Sequence, residues 1–332
     1  EIVTSNSDCF RISHQLTLQN TPIKLFWERK MEDLPKRSTD EEIAASAMNE
    51  HGFLLQQRIA HTITQPEGSG SYPHNWYLGA VEYPVSINGK ETKIDLVLQN
   101  GTKEDSKWHL AIECKRCHKD YKQWLFFNNS AHLNQGLDKR YYIQYADLGE
   151  SWDHQGEMPQ RIHLMKNFRG TDVPPYYCYL ESKIKPVKNR DDKISSTNAI
   201  EDSFRQGSLG HAGLFAKLKQ AQLFHYRIIP IVCTTAAIKV VNFDSNQIAL
   251  ADGRIGFDQI QVEDKNWVAV NYRVDSSIAD LFRCKYQIEP KSVKFDIIQK
   301  FLRTIFVVRA DCIQSFLVWI NEHIEYFEGV EK

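Results

Sequence analysis

Two stretches of the chain place chemistry-bearing residues at strand spacing. Lys93-Ile94-Asp95-Leu96-Val97-Leu98-Gln99 and Trp108-His109-Leu110-Ala111-Ile112-Glu113-Cys114-Lys115 each alternate in polarity, and the polar segment 100–106 between them reads as a turn. In the second stretch Trp108, Leu110, Ile112 and Cys114 share one face, which puts His109, Ala111, Glu113 and Lys115 on the other. In the first, Ile94, Leu96 and Leu98 oppose Asp95 and Val97. Paired as neighbours, the strands bring Asp95, Glu113 and Lys115 to one face. Two carboxylates beside an ammonium form a hard-oxygen site for a divalent cation with a charged group next to it. Read as packing alone, the same residues would be an exposed ion-pair ladder worth at most about 1 kcal/mol.

Ile94-Asp95 followed by Glu113-Cys114-Lys115 resembles the signature of the PD-(D/E)XK nuclease superfamily, with Ile94 standing where the pattern carries proline. The resemblance implies an α/β protein with a restriction-endonuclease-like core, a central mixed sheet flanked by helices. It implies Mg²⁺ or Mn²⁺ held by Asp95, Glu113 and the backbone carbonyl of Cys114, with Lys115 orienting the attacking water or stabilising the transition state. The implied activity is phosphodiester hydrolysis, on DNA first and RNA second, by an endonuclease serving in restriction or defence against foreign DNA. Such proteins act as homodimers or together with a sensor protein. The alternative is a catalytically inactive nuclease fold used to bind nucleic acid or protein.

The family also carries a glutamate on a helix before these strands, and two residues compete for its place. Gln56 fits the family's Gly-x-x-x-Glu-x-x-Ile spacing through Gly52 and Ile59, with an amide replacing the carboxylate; Glu50 has the chemistry without the spacing. On one continuous helix the two lie roughly 120° out of phase, so only one faces the cation. Gln56 borders the apolar stripe made by Phe53, Leu54, Ile59 and Ala60, and is the favoured residue. Gln135 and Gln206 are candidates for a downstream glutamine found in some branches.

Stepping outward from these residues, the sequence predicts an N-terminal extension over 1–38, with strands at 10–18 and 23–27, and a nuclease domain over 39–332. A helix over 39–64 starts with Asp40, Glu41 and Glu42 in its first turn and ends before the loop 66–70. A strand at 77–87 runs into Asn88-Gly89, a hairpin signal leading to the Asp95 strand. Residues 124–197, rich in Tyr, Trp, Pro and charge, read as an insertion with short strands at 141–145 and 161–165. A helix over 199–224, an apolar strand at 228–236 continuing through Val241, further strands to about Val274 and a helix over 314–327 follow.

Composition narrows the setting. The length of 332 residues with 42% apolar content supports a sizeable core. A net charge of −1 confines any attraction to nucleic acid to local patches, the candidates being Lys115, Arg116, Lys119 and Lys122, and then Lys183, Lys185, Lys188, Arg190 and Lys193. Seven irregularly spaced cysteines argue against a disulfide framework, and the lack of a long apolar run leads to the expectation of a cytoplasmic protein. Cys114-Lys115-Arg116-Cys117-His118 matches a c-type haem attachment pattern, but it falls at the end of an apolar strand where that attachment needs a helical setting. Cys178, Cys233, Cys284 and Cys312 are too scattered for a zinc ribbon. No phosphate-binding glycine loop, Gly-x-Ser-x-Gly elbow or paired-His motif is present.

Overall fold

The computed structural model describes residues 39–50, 53–65, 74–87, 89–100, 107–117, 122–128, 141–147, 160–165, 175–182, 199–220, 225–274 and 302–328. The extension expected over 1–38, together with its strands, lies outside them. Residues 1–47 and 48–332 form two compact units. Of the first, the described part is the opening of helix α1 (Thr39–Glu50), with Asp40, Glu41 and Glu42 in its first turn as the N-terminal end of the helix dipole favours.

The larger unit is α/β. Where one helix is expected over 39–64, the described residues hold two spans, α1 and then α2 (Phe53–Thr64). β1 (Trp76–Ile87), β2 (Lys90–Asn100) and β3 (Lys107–Lys115) follow as an antiparallel meander. Ile87 pairs with Lys90, so two residues of sequence separate the paired strands, and Gly89 takes the φ of 77° that a two-residue hairpin turn requires. After α3 (Ala199–Gln220), β8 (His225–Thr234) pairs in parallel with β3 along its whole length. A parallel neighbour needs a crossover, and α3 lies in the connection.

The other edge of β8 is divided. Its first residues pair antiparallel with β5 (Tyr141–Asp147), which in turn pairs with β6 (Gln160–Met165), and its last residues pair in parallel with β12 (Leu302–Arg309). β11 (Trp267–Arg273) completes the sheet beside β12. A second, four-stranded sheet has the order β10 (Ile260–Lys265), β9 (Ala237–Phe243), β4 (Gln123–Phe127) and β7 (Cys178–Ser182). The stretch read as an insertion thus supplies strands to both sheets. β4 and β9 come directly after β3 and β8 and stay parallel, while Thr234-Thr235-Ala236 forms the bend: Thr234 Oγ1 accepts from Ala236 N at 3.1 Å and Thr235 Oγ1 from Cys117 N at 3.0 Å.

Each face of the main sheet carries its own apolar layer. Val97, Ala111, Ile228 and Val232 pack with Phe204, Leu214 and Phe215 of α3, whereas Leu96, Leu110, Ile112 and Ile231 pack with Ile59 and Ile63 of α2 and with Phe316 and Leu317 of α4 (Ile313–Glu328). β12 carries no alternation because both of its faces are covered, with every residue from Leu302 to Val308 buried.

Helix α3 sits close on the sheet because Gly207, Gly210 and Gly213 line one of its sides. A Cβ at Gly213 would stand 2.6 Å from Val85 of β1, while one at Gly207 would meet nothing nearer than Val232 at 3.9 Å. Gly213→Ala is expected to destabilise the protein by about 1–3 kcal/mol through overpacking. Gly207→Ala should be neutral or stabilising by up to about 1 kcal/mol through helix propensity. Equal denaturation midpoints for the two variants would contradict this packing.

Candidate active site

The site forms where β2 parts from β3. Their ladder runs from Asn100 opposite Trp108 to Leu96 opposite Ile112, and the next position belongs to Asp95 and Glu113. There the Asp95 side chain takes over from its backbone: Oδ2 accepts from Cys114 N at 2.7 Å. The strand phase slips at this point. Ile94, expected on the face of Leu96 and Leu98, instead packs against α3, within 3.0 Å of where a Gly210 Cβ would be. The carboxylate of Asp95 therefore lies along the edge of β3, where alternation alone would have left it standing off one face.

Glu113 and Lys115 keep their expected phase with Ala111, on the α3 face. Glu113 is half-buried, and its pKa is pushed up to about 8, mainly by burial and next by the charge of Asp95, with Lys115 partly offsetting the rise. Asp95 is also raised, by burial first, while the Cys114 N–H and Lys115 oppose the shift. Two buried carboxylates on adjacent strands, one raised further by the charge of the other, form a pocket of negative charge that a proton or a cation relieves. Within a strand the N–H and C=O of one residue point to the same edge, so the carbonyl of Cys114 points to the edge where its N–H meets Asp95. The donor set thus comprises two carboxylates and one main-chain oxygen, all hard ligands suited to Mg²⁺ or Mn²⁺.

Gln56 is buried, and its Nε2 donates to the main-chain oxygen of Asp95 at 2.9 Å. It therefore reaches the site through the backbone, from the α2 side of the sheet, and fixes β2 at the residue where the ladder opens. The side chain of Glu50 lies outside the described residues, as do Gln135, His118, Lys119 and the basic run at 183–193.

Glu82 belongs to the same charge constellation and was missed in the sequence reading. It lies between the pairs Val81–Leu96 and Tyr83–Ile94, opposite Asp95, and its charge acts on both Asp95 and Glu113. Its φ of 50° kinks β1 there, and Lys93 pairs with its carboxylate at 3.2 Å. The signal was present in the sequence: a two-residue turn at Asn88-Gly89 fixes the register that sets Glu82 against Asp95.

Beside Lys115 opens a cavity of about 400 Å³ whose polar lining includes Arg205 and Gln206 of α3 and Thr92 of β2. Helix α3 is anchored nearby. Glu181 of β7 accepts from Ile200 N at 3.0 Å, and the Glu201 carboxylate accepts from Tyr272 Oη at 2.8 Å and also from the Tyr179 hydroxyl. Of the two downstream glutamines, Gln206 is thus brought to the site.

Among the described residues, no three His, Cys, Asp or Glu side chains converge as a metal-binding group, and no helix is long and apolar enough to cross a membrane. Cys114 is buried on the face opposite Glu113, and Cys117 is half-buried with Sγ 3.2 Å from Thr235 Oγ1, so this pair has the surroundings of strand-end packing. Comparison with protein-family models, with characterised proteins and with solved structures finds no match to this chain.

Gln56→Ala should loosen Asp95 and reduce any divalent-dependent cleavage more than Glu50→Ala. Gln56→Glu adds a charge that cannot donate to the Asp95 carbonyl, and it should alter the metal concentration needed for activity. A metal titration in which Glu50→Ala has the larger effect would transfer the helix role to Glu50.

Proposed function

We propose that this chain is a divalent-metal-dependent nuclease that hydrolyses phosphodiester bonds, with a restriction-endonuclease-like core. The observation that carries the reading is that Asp95 and Glu113 occupy the next position beyond the β2–β3 ladder, where burial raises both carboxyls and the charge of Asp95 raises Glu113 further, with Lys115 beside them. Asp95 is moreover bonded to the backbone of the residue between Glu113 and Lys115. The chain order supports it as well: a helix, three antiparallel strands and, after the intervening strands β4 to β7, a helix and a strand parallel to the third form the framework that the resemblance implies.

Asp95, Glu113 and the Cys114 carbonyl would hold the ion. When bound there, Mg²⁺ or Mn²⁺ supplies positive charge to the scissile phosphate and acidifies water at neutral pH. Lys115 lies next to the carboxylates, where its side chain would stabilise the negative charge that builds up on the phosphate. Arg205 and Gln206, which line the cavity beside Lys115, are placed to hold the flanking backbone of the strand being cut. DNA is the substrate proposed first, with action as a homodimer or alongside a sensor in defence against foreign DNA; these rest on the family resemblance.

The second reading, an inactive module of the same fold, is favoured by one observation. Gln56 stands where the family carries a glutamate and is spent on the Asp95 carbonyl. Incubating the purified chain with plasmid, linear and single-stranded DNA and with RNA, each with Mg²⁺, Mn²⁺ or EDTA, separates the two. Cleavage that requires the metal supports the nuclease; intact substrates that are nonetheless bound support the module.

A further inference from the structure

A second cavity, of about 320 Å³, opens at Asn266, where β10 of one sheet turns into β11 of the other. Its walls are aromatic: Tyr141 of β5, Trp267 of β11, Phe306 of β12 and Trp319 of α4. Tyr141 and Phe306 are stacked at 16° with centroids 6.2 Å apart, and Trp319 lies 5.9 Å from Phe306 and 5.7 Å from Trp267. The two tryptophans are half-buried, and His323 packs against Trp319 with ring centroids 4.3 Å apart, so an incoming molecule meets the part of each indole that lines the cavity.

We infer that this cavity binds a neutral, planar heteroaromatic ring of the nucleobase class. Its volume is in the range of small-molecule sites, about 300–1,000 Å³, and accommodates a base with its sugar. Stacking a base on an aromatic side chain is worth about 1–3 kcal/mol. The charges at the rim are already matched, Asp264 to Lys239 and Lys265 to Glu263, both at 2.7 Å, so the cavity offers no net field to an ionic ligand. A cation, which aromatic faces also attract, would have to approach the Lys265 ammonium in the lining.

The remaining polar lining is directional. Asn266 carries both donor and acceptor atoms, and the Tyr176 hydroxyl, its pKa raised to about 12 chiefly by burial, stays a donor throughout the physiological range. An aliphatic ligand would leave these groups unpaired, whereas the edge of a base pairs with them.

The cavity shares a cross-strand row with the candidate active site. Cys114 is opposite Cys233, Cys233 opposite Val308, and Val308 opposite Trp267. Three strand spacings of about 4.8 Å put Trp267 roughly 14 Å from Cys114. The base can therefore come from a free nucleoside or nucleotide acting as an effector, or from a nucleic-acid strand. The binding inference does not depend on Asp95 and Glu113 being catalytic.

The test uses the full chain in EDTA, so that nothing is cut, with adenosine, guanosine, cytidine, uridine, a five-nucleotide DNA and choline as probes, read by saturation-transfer NMR and tryptophan fluorescence. At least one nucleoside or the oligonucleotide should bind, and Trp319→Ala should weaken it at least tenfold while Trp319→Phe retains most of it. Asn266→Ala, a turn substitution outside the helices, should weaken binding severalfold or change the preference among bases even if Trp319→Ala fails to fold. Binding of nucleosides alone identifies an effector site, and binding of the oligonucleotide alone identifies a strand site. No binding by any base, choline binding more tightly than every base, or binding indifferent to both Trp319→Ala and Asn266→Ala overturns the inference.

Discussion

Glu113→Gln, Asp95→Asn and Lys115→Met are each expected to reduce divalent-dependent cleavage by at least about 10²–10³-fold while leaving a folded protein, because each removes charge from the metal and phosphate site. The three should not be equivalent in stability. Asp95→Asn keeps the oxygen that accepts from Cys114 N, so β2 and β3 stay joined at the opening of the ladder. Asp95→Ala removes that acceptor and leaves the Cys114 N–H without it, at a cost of about 1–3 kcal/mol. Glu113→Gln removes a charge that burial and Asp95 already disfavour, and it should be neutral or stabilising. Cleavage rates of the metal-loaded variants, with circular dichroism and denaturation midpoints for folding, check both halves. Wild-type rates in all three isosteric variants would remove the basis for the nuclease reading.

Much of this arrangement was legible from residue types and spacing, and the exceptions have physical causes. Alternation revealed β1, β2 and β3 because each keeps a polar phase along part of its length. β12 offered no such signal: Leu302 to Val308 is buried on both faces, and buried Arg303 and Thr304 interrupt the apolar run that might have announced it.

At the site, alternation placed Glu113 and Lys115 correctly and misplaced Ile94. A period of two assumes an unbroken ladder, and this ladder ends at Leu96 because the Asp95 carboxylate replaces the backbone acceptor. The contact of Gln56 with the Asp95 carbonyl joins residues far apart in the chain across the helix–sheet packing, which helical phase alone does not reveal. Glu82 was readable from the hairpin register. Arg205 carried no signal beyond being next to Gln206.

In the absence of divalent cation, the protein should lose stability as pH rises from about 5 to 9. Glu113 holds its proton up to about pH 8 in the folded chain, against 4.5 for the ordinary carboxyl. Between those values the folded state binds more protons than the unfolded one, so this contribution is fully present below about 4.5 and is lost as pH passes through about 8. Asp95 is shifted in the same direction and adds to the slope. The total is on the order of a few kcal/mol.

A cation reverses the preference, since it binds the ionised carboxylates and competes with the proton. Mg²⁺ or Mn²⁺ should therefore stabilise the protein little at pH 5 and substantially at pH 8–9, with apparent affinity increasing across that interval. Glu113→Gln should flatten the EDTA profile and remove most of the metal-induced stabilisation. Glu82→Gln, which removes a neighbouring charge that raises both carboxylates, should shift the transition to slightly lower pH while preserving the metal response. Thermal denaturation from pH 5 to 9, with EDTA and with each metal, measures all of these without any substrate. A wild-type profile in EDTA that coincides with that of Glu113→Gln would mean that Glu113 ionises as an ordinary carboxylate, and the electrostatic case for a cation between it and Asp95 would fail.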